Sequence, residues 1–233
     1  MLSRGDAMSA IGEFWEQVWA ILWKDIRYEL RTRQTWLSMG MFALLVLVVF
    51  NFTFDLNVAN QRAVAPGVLW IAFLFASLLG LGRTMLTERE QLPLDRLLLS
   101  PVDRKAIYLA KLLGNLLFIG IIELVAVPVF IVLFNLPLSL FGAFLPVLVL
   151  GTVGIATIGT LFAALTASVQ ARDMLLPILV FPLLVPVVIG AVRATGLLLV
   201  PALNEPPWLS LLIAFDVIFV SVATLVFPAV VEE

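Results

Sequence analysis

From Trp36 to Phe54 the chain carries no charged side chain. A helix through that run is long enough to cross the hydrocarbon of a bilayer, which takes roughly 20 apolar residues. Five more stretches of the same character follow: Pro66–Met85, Ile107–Phe134, Ala143–Val169, Met174–Val192 and Leu209–Val230. The third is long enough to tilt or to begin below the membrane surface. The sixth holds Asp216, and a charge at a helix centre costs roughly 2.5–3.5 kcal/mol on insertion scales. Asp216 stands about a third of the way into its run, so it is expected to reach the outer interface or a polar cavity. With 62% hydrophobic and 13% charged residues, the chain departs from soluble domains, which run nearer half and a quarter. The expected fold is an all-α integral membrane protein with six transmembrane helices in one domain, 1–233.

Orientation follows from the loops. With the N-terminus inside, twelve of the fourteen Lys and Arg residues fall on the inner side, and only Arg62 and Arg193 fall outside. That asymmetry places both termini in the cytoplasm. Met1–Gly12 lacks the apolar core of a signal peptide, so the first span is expected to serve as the targeting signal.

Ahead of that span, Ala10–Arg33 reads as an amphipathic elbow helix. Glu13, Glu16, Gln17, Ala20, Lys24, Arg27 and Arg31 share one side, and Ile11, Phe14, Trp15, Val18, Trp19 and Leu22 the other. Such a helix suits the headgroup layer. Asp25 and Glu29 break the pattern by pointing into the apolar side. There the helix is expected to leave the surface or meet another protein.

Net charge is only -2, which gives no electrostatic case for nucleic-acid binding. There is no Cys and no His, so thiolate metal sites, cysteine nucleophiles and the commonest general base and metal ligand are all excluded. Neither a Walker-type phosphate loop nor G-x-S-x-G nor H-E-x-x-H occurs. No catalytic residues and no metal ligands are expected.

The polar features inside the apolar runs are few. Glu123 lies near the middle of the third run, and an intramembrane acid is by default a candidate for function. It lines a path, or it holds two helices together through a hydrogen bond. In the fourth run Thr152, Ala156, Thr160, Ala164 and Ser168 recur at every fourth position, a spacing that lets helices approach closely. The fifth contains Pro177, Pro182 and Pro186, each of which removes a backbone hydrogen bond. These three prolines are candidate kinks, serving as a hinge or only as a bent strut. Ala194–Trp208 is too short to cross and too apolar for a plain loop, and is expected to form short re-entrant segments.

The largest polar stretch, Arg83–Lys111, joins the second and third runs. It holds six of the basic residues and four acids, Glu88, Glu90, Asp95 and Asp103. Topology needs the bases but not the acids, so a docking surface for a soluble partner is expected across the coupling loop, 86–106. A short helix from Leu92 would end at Ser100-Pro101. A new helix would start at Asp103, whose carboxylate can cap the amides that follow.

This stretch also carries a resemblance. Thr87-Glu88-Arg89-Glu90 followed by Leu94-Asp95-Arg96-Leu97-Leu98-Leu99-Ser100-Pro101 resembles the coupling segment of ABC-2-type exporter permeases, with Leu92-Pro93 where that class has Gly-Thr. Ala65-Pro66-Gly67-Val68-Leu69-Trp70, Leu109-Ala110-Lys111 and the run Leu176 to Pro186 are similar to the CcmB family of haem exporters. The resemblance covers roughly residues 65–191. It implies a permease subunit of the bacterial inner membrane that binds no cofactor itself and works in cytochrome c maturation. A separate ATPase, CcmA-like, would hold the ATP. It would dock on Glu88, Arg89, Glu90, Leu94, Asp95, Leu97, Leu98, Ser100 and Pro101. Two copies of the permease would assemble with CcmC-like and CcmD-like membrane partners. Haem would be the substrate of the assembly, either carried through the permease or delivered by releasing a haem chaperone. The alternatives are an ABC-2 permease for another amphiphile, or a scaffold that transports nothing.

Overall fold

The computed structural model describes residues 4–53, 58–90, 102–137, 139–166, 172–200 and 206–230. These form seven helices: α1 Arg4–Thr32, α2 Gln34–Thr53, α3 Val58–Glu90, α4 Arg104–Leu133, α5 Leu140–Thr166, α6 Arg172–Leu199 and α7 Trp208–Val230. Six of them, α2 to α7, are long and apolar enough to cross a membrane. At 1.5 Å per residue, the 30 residues of α4 run about 45 Å, well beyond the roughly 30 Å of hydrocarbon.

Helix α5 is the hub. It packs against α3, α4, α6 and α7, while α2 packs on α3 and α4. The sequence reason is its small-residue face. Thr152, Ala156 and Thr160 are all buried, and the glycines let bulky neighbours in. A Cβ on Gly151 would overlap the Trp70 ring, and one on Gly159 would overlap Leu81. The buried apolar side chains form two clusters along the bundle. One, near the α1 end, gathers Val18, Leu22, Met39, Ala106 and Tyr108. The other, toward the opposite end, gathers Trp70, Phe73, Phe130, Phe134 and Phe144.

Several helix ends have identifiable causes. Between α1 and α2, Arg33 adopts a left-handed φ of 56°. Thr35 N–H then donates to Glu29 Oε1 at 3.1 Å. A carboxylate thus meets the amide-rich start of α2, where the helix dipole favours negative charge. At the start of α4, Asp103 has extended backbone and its side chain accepts from Lys105 N–H at 2.9 Å, the cap expected from the sequence. At the end of α4, Asn135 has φ 50° and Leu136 N–H donates back to Ile131 C=O at 2.9 Å, which consumes carbonyls the helix leaves open.

One expectation changes. The segment 194–208 is not a set of short re-entrant pieces in its first half, because α6 continues without a break to Leu199. The extension is held by burial: Ala191, Ala194 and Thr195 are covered. Thr195 Oγ1 also accepts from Trp70 Nε1–H at 2.9 Å. Helix α3 runs to Glu90 and α4 begins at Arg104, so both ends of the segment 86–106 lie in helices. Pro177, Pro182 and Pro186 all lie within the single helix α6.

Candidate functional site

The polar residues inside the bundle converge on the interface of α4 with α5, and on its extension to α1. Thr152 Oγ1 donates to Glu123 Oε1 at 2.5 Å. Two turns nearer the α1 end, Asn115 Nδ2 donates to Thr160 Oγ1 at 2.8 Å. One turn earlier on α4, Lys111 Nζ donates to Asp25 Oδ2 at 2.6 Å, bridging to α1. Asn115, Lys111 and Glu123 are all on one side of α4 or its flanks because 111, 115 and 123 are spaced by multiples of four. The small-residue face of α5 is therefore a packing seam whose hydroxyls bond across to α4. Ser168, at its end, is outside the described residues.

Glu123 is buried, and Thr152 supplies its one hydrogen bond among the described residues. Beside this pair a cleft of about 310 Å³ opens between α4 and α5. Its walls are apolar, with Leu124, Val127, Leu145 and Val149 among them, and Glu123 and Thr152 at its polar floor. Gly120 widens it: a Cβ there would meet nothing within 4 Å.

Asp216 behaves differently from expectation. It reaches no interface: only 6% of it is exposed, and a Cβ on Gly154 would be 3.0 Å from its Oδ1. Neither of its oxygens has a hydrogen-bond partner among the described residues. Asp216 and Glu123 thus flank α5 at one level, from α7 and α4, without meeting each other. Of the two, only Glu123 has a hydrogen-bond partner among the described residues.

Asp25 and Glu29, the acids that broke the amphipathic pattern of α1, face this chain and not another protein. Asp25 pairs with Lys111, whose side chain is 1% exposed, and Glu29 caps α2. A third tie is Gln17 Oε1, which accepts from Asp103 N–H at 3.0 Å. The apolar stripe of α1 is divided between two environments. Val18, Ile21 and Leu22 are buried in the bundle, while Ile11, Trp15, Trp19 and Trp23 remain exposed. Trp19 and Trp23 stack at 6.3 Å, and the Arg27 guanidinium lies 5.0 Å from the Trp23 ring centre.

Lys111 was legible in sequence only as the last base of a polar loop; its burial was not. The misplaced Asp25 was the signal that could have found it. Of the docking residues, Glu88, Arg89 and Glu90 form the last turn of α3. Leu94, Asp95, Leu97, Leu98, Ser100 and Pro101 are outside the described residues.

Six apolar helices, one of them a small-residue hub, define a multi-pass membrane protein. A sequence model of the family described as "CcmB protein" matches residues 16–233, and the chain belongs to that family. It is 31% identical over 199 residues to "Heme exporter protein B" of Bradyrhizobium diazoefficiens, covering 85% of this chain and 90% of that protein. It is 32% identical over 171 residues to the protein of the same name from Rhodobacter capsulatus, covering 73% and 78%. The Escherichia coli K12 protein of that name is 28% identical over 176 residues, covering 76% and 80%.

Proposed function

We propose that this chain is the permease subunit of an ABC-type haem exporter that serves cytochrome c maturation in the bacterial inner membrane. The observation that carries this reading is membership of the CcmB family across nearly the whole chain, together with relatives named for haem export. Both termini face the cytoplasm, on the strength of the twelve-to-two distribution of Lys and Arg. The α1 end of the bundle is then the inner end.

The energy source is a separate ATPase bound at residues 86–106. Glu88, Arg89 and Glu90, at the end of α3, supply charges of both signs. Closure of the ATPase pulls on this segment, and α3 and α4 carry the displacement into the bundle. Lys111 and Asp103 link α4 to α1, so α1 moves with them. The three prolines of α6 are the places where that helix bends most cheaply. Two permease and two CcmA-like ATPase subunits assemble with CcmC-like and CcmD-like proteins.

Charge reversal tests the docking. Glu88→Lys with Glu90→Lys abolishes co-purification of the ATPase while the protein still inserts; undiminished co-purification overturns the assignment. A second reading, a scaffold that couples ATP hydrolysis to release of a haem chaperone, is favoured by the absence of His and Cys, the usual strong ligands for haem iron. Vesicles loaded with haem and carrying the full assembly separate the two. ATP-dependent haem movement supports export through the permease; chaperone release without haem movement supports the scaffold.

A further inference from the structure

We propose that the cleft between α4 and α5 is a binding site for a neutral, hydroxyl-bearing amphiphile drawn from the bilayer interior. The inference is independent of the haem reading and rests on depth, shape and chemistry.

Depth comes first. Glu123 stands ten residues before Leu133, the last residue of α4. At 1.5 Å per residue that is about 15 Å, half of the roughly 30 Å hydrocarbon thickness. The polar floor of the cleft therefore lies near the bilayer midplane. A phospholipid headgroup stays at the interface, and a charged headgroup brought to this depth is heavily penalised. A bare acyl chain reaches the midplane but gains nothing from a carboxyl group.

The shape is that of a lateral site. At about 310 Å³, the cleft is at the lower end of ligand pockets, which run roughly 300–1,000 Å³. It accepts one chain or one ring and not a whole helix. Its rim residues Leu124, Leu145 and Val149 are exposed on the bundle surface, so a ligand can enter sideways from the membrane. Gly120 keeps the passage clear, with no side chain and no neighbour within 4 Å of where a Cβ would be.

The chemistry selects the headgroup. Thr152 satisfies one carboxyl oxygen, and among the described residues nothing bonds the other. A hydroxyl both donates and accepts, so it complements that oxygen whether or not it carries the proton. An ether or an alkane of the same length does not.

The probe is a long-chain alcohol bearing a photoactivatable diazirine in its chain, compared with its methyl ether and with the matching alkane. Each is added to membranes holding the full chain with its partners, irradiated, and the labelled peptides are identified by mass spectrometry. The alcohol is expected to label the segments around Gly120–Leu124 and Leu145–Val149 about fivefold more than the alkane, the ratio one net hydrogen bond supplies. Gly120→Leu, which fills open space and should not disturb folding, and Glu123→Leu both reduce labelling to the alkane level. Glu123→Gln, which keeps a donor and an acceptor, preserves it. Equal labelling by alcohol, ether and alkane overturns the proposal. So does labelling that occurs in the chain alone and disappears in the full assembly, because a partner helix then covers the cleft.

Discussion

Replacing Asp25 with Leu removes the carboxylate 2.6 Å from Lys111 Nζ, a side chain only 1% exposed. Breaking a buried ion pair by deleting one partner costs about 3–5 kcal/mol. The reciprocal change is also expected to destabilise. After Lys111→Met, Asp25 keeps Lys24 at 3.2 Å, and its side chain is 13% exposed, so a loss of about 1–3 kcal/mol is expected. In the double variant, Leu and Met occupy the gap as apolar neighbours, and stability returns to within about 1–2 kcal/mol of the parent. The coupling energy of the cycle is then at least about 2 kcal/mol. Equilibrium unfolding of the purified full chain in mixed micelles, followed by helical circular dichroism, measures all four species. A parallel readout is a crosslink between cysteines placed on α1 and α4, which should weaken in both single variants and return in the double. Additive losses would refute the reasoning, since they would mean that Asp25 and Lys111 do not hold α1 and α4 together as a pair.

Three further outcomes follow from the same structure. Thr152→Val strips the hydrogen bond from Glu123 and lowers stability by about 1–3 kcal/mol, whereas Thr152→Val with Glu123→Leu is close to neutral; a double variant as unstable as the single refutes the pairing. Asp216→Leu removes a buried carboxylate with no hydrogen-bond partner among the described residues and is expected to raise stability by about 1–3 kcal/mol in the same unfolding assay. A stable but inactive Asp216→Leu protein would mark that acid as functional. Gly151→Ala drives a methyl into Trp70 and costs about 1–3 kcal/mol; Trp70→Phe in the same chain restores part of that loss by making room, as thermal aggregation in detergent will read.

The spans were legible because lipid imposes a local requirement. Each segment must satisfy its own backbone and present apolar side chains along its whole length, and both conditions are written in consecutive residues. The Asp103 cap was legible for the same reason, since its partner is two residues away. The seam on α5 was visible as a four-residue period, though which helix would fill it was not. The end of α6 was misread because composition gives Leu197–Val200 and the prolines after it the look of a re-entrant loop. What extends the helix is the contact of Thr195 with Trp70, 125 residues away.

By itself, the sequence determined six membrane crossings, the amphipathic character of the first helix, and the family. All of these depend on what each segment meets in lipid or at the interface. Tertiary structure alone decided which intramembrane polar groups find partners. Glu123 has Thr152, Lys111 has Asp25, and Asp216 has no hydrogen-bond donor among the described residues. The physical reason is that a hydrogen bond inside a bundle depends on the rotation and depth of two helices at once. Neither is encoded within either segment until α5, with its threonines and glycines, brings the neighbours close.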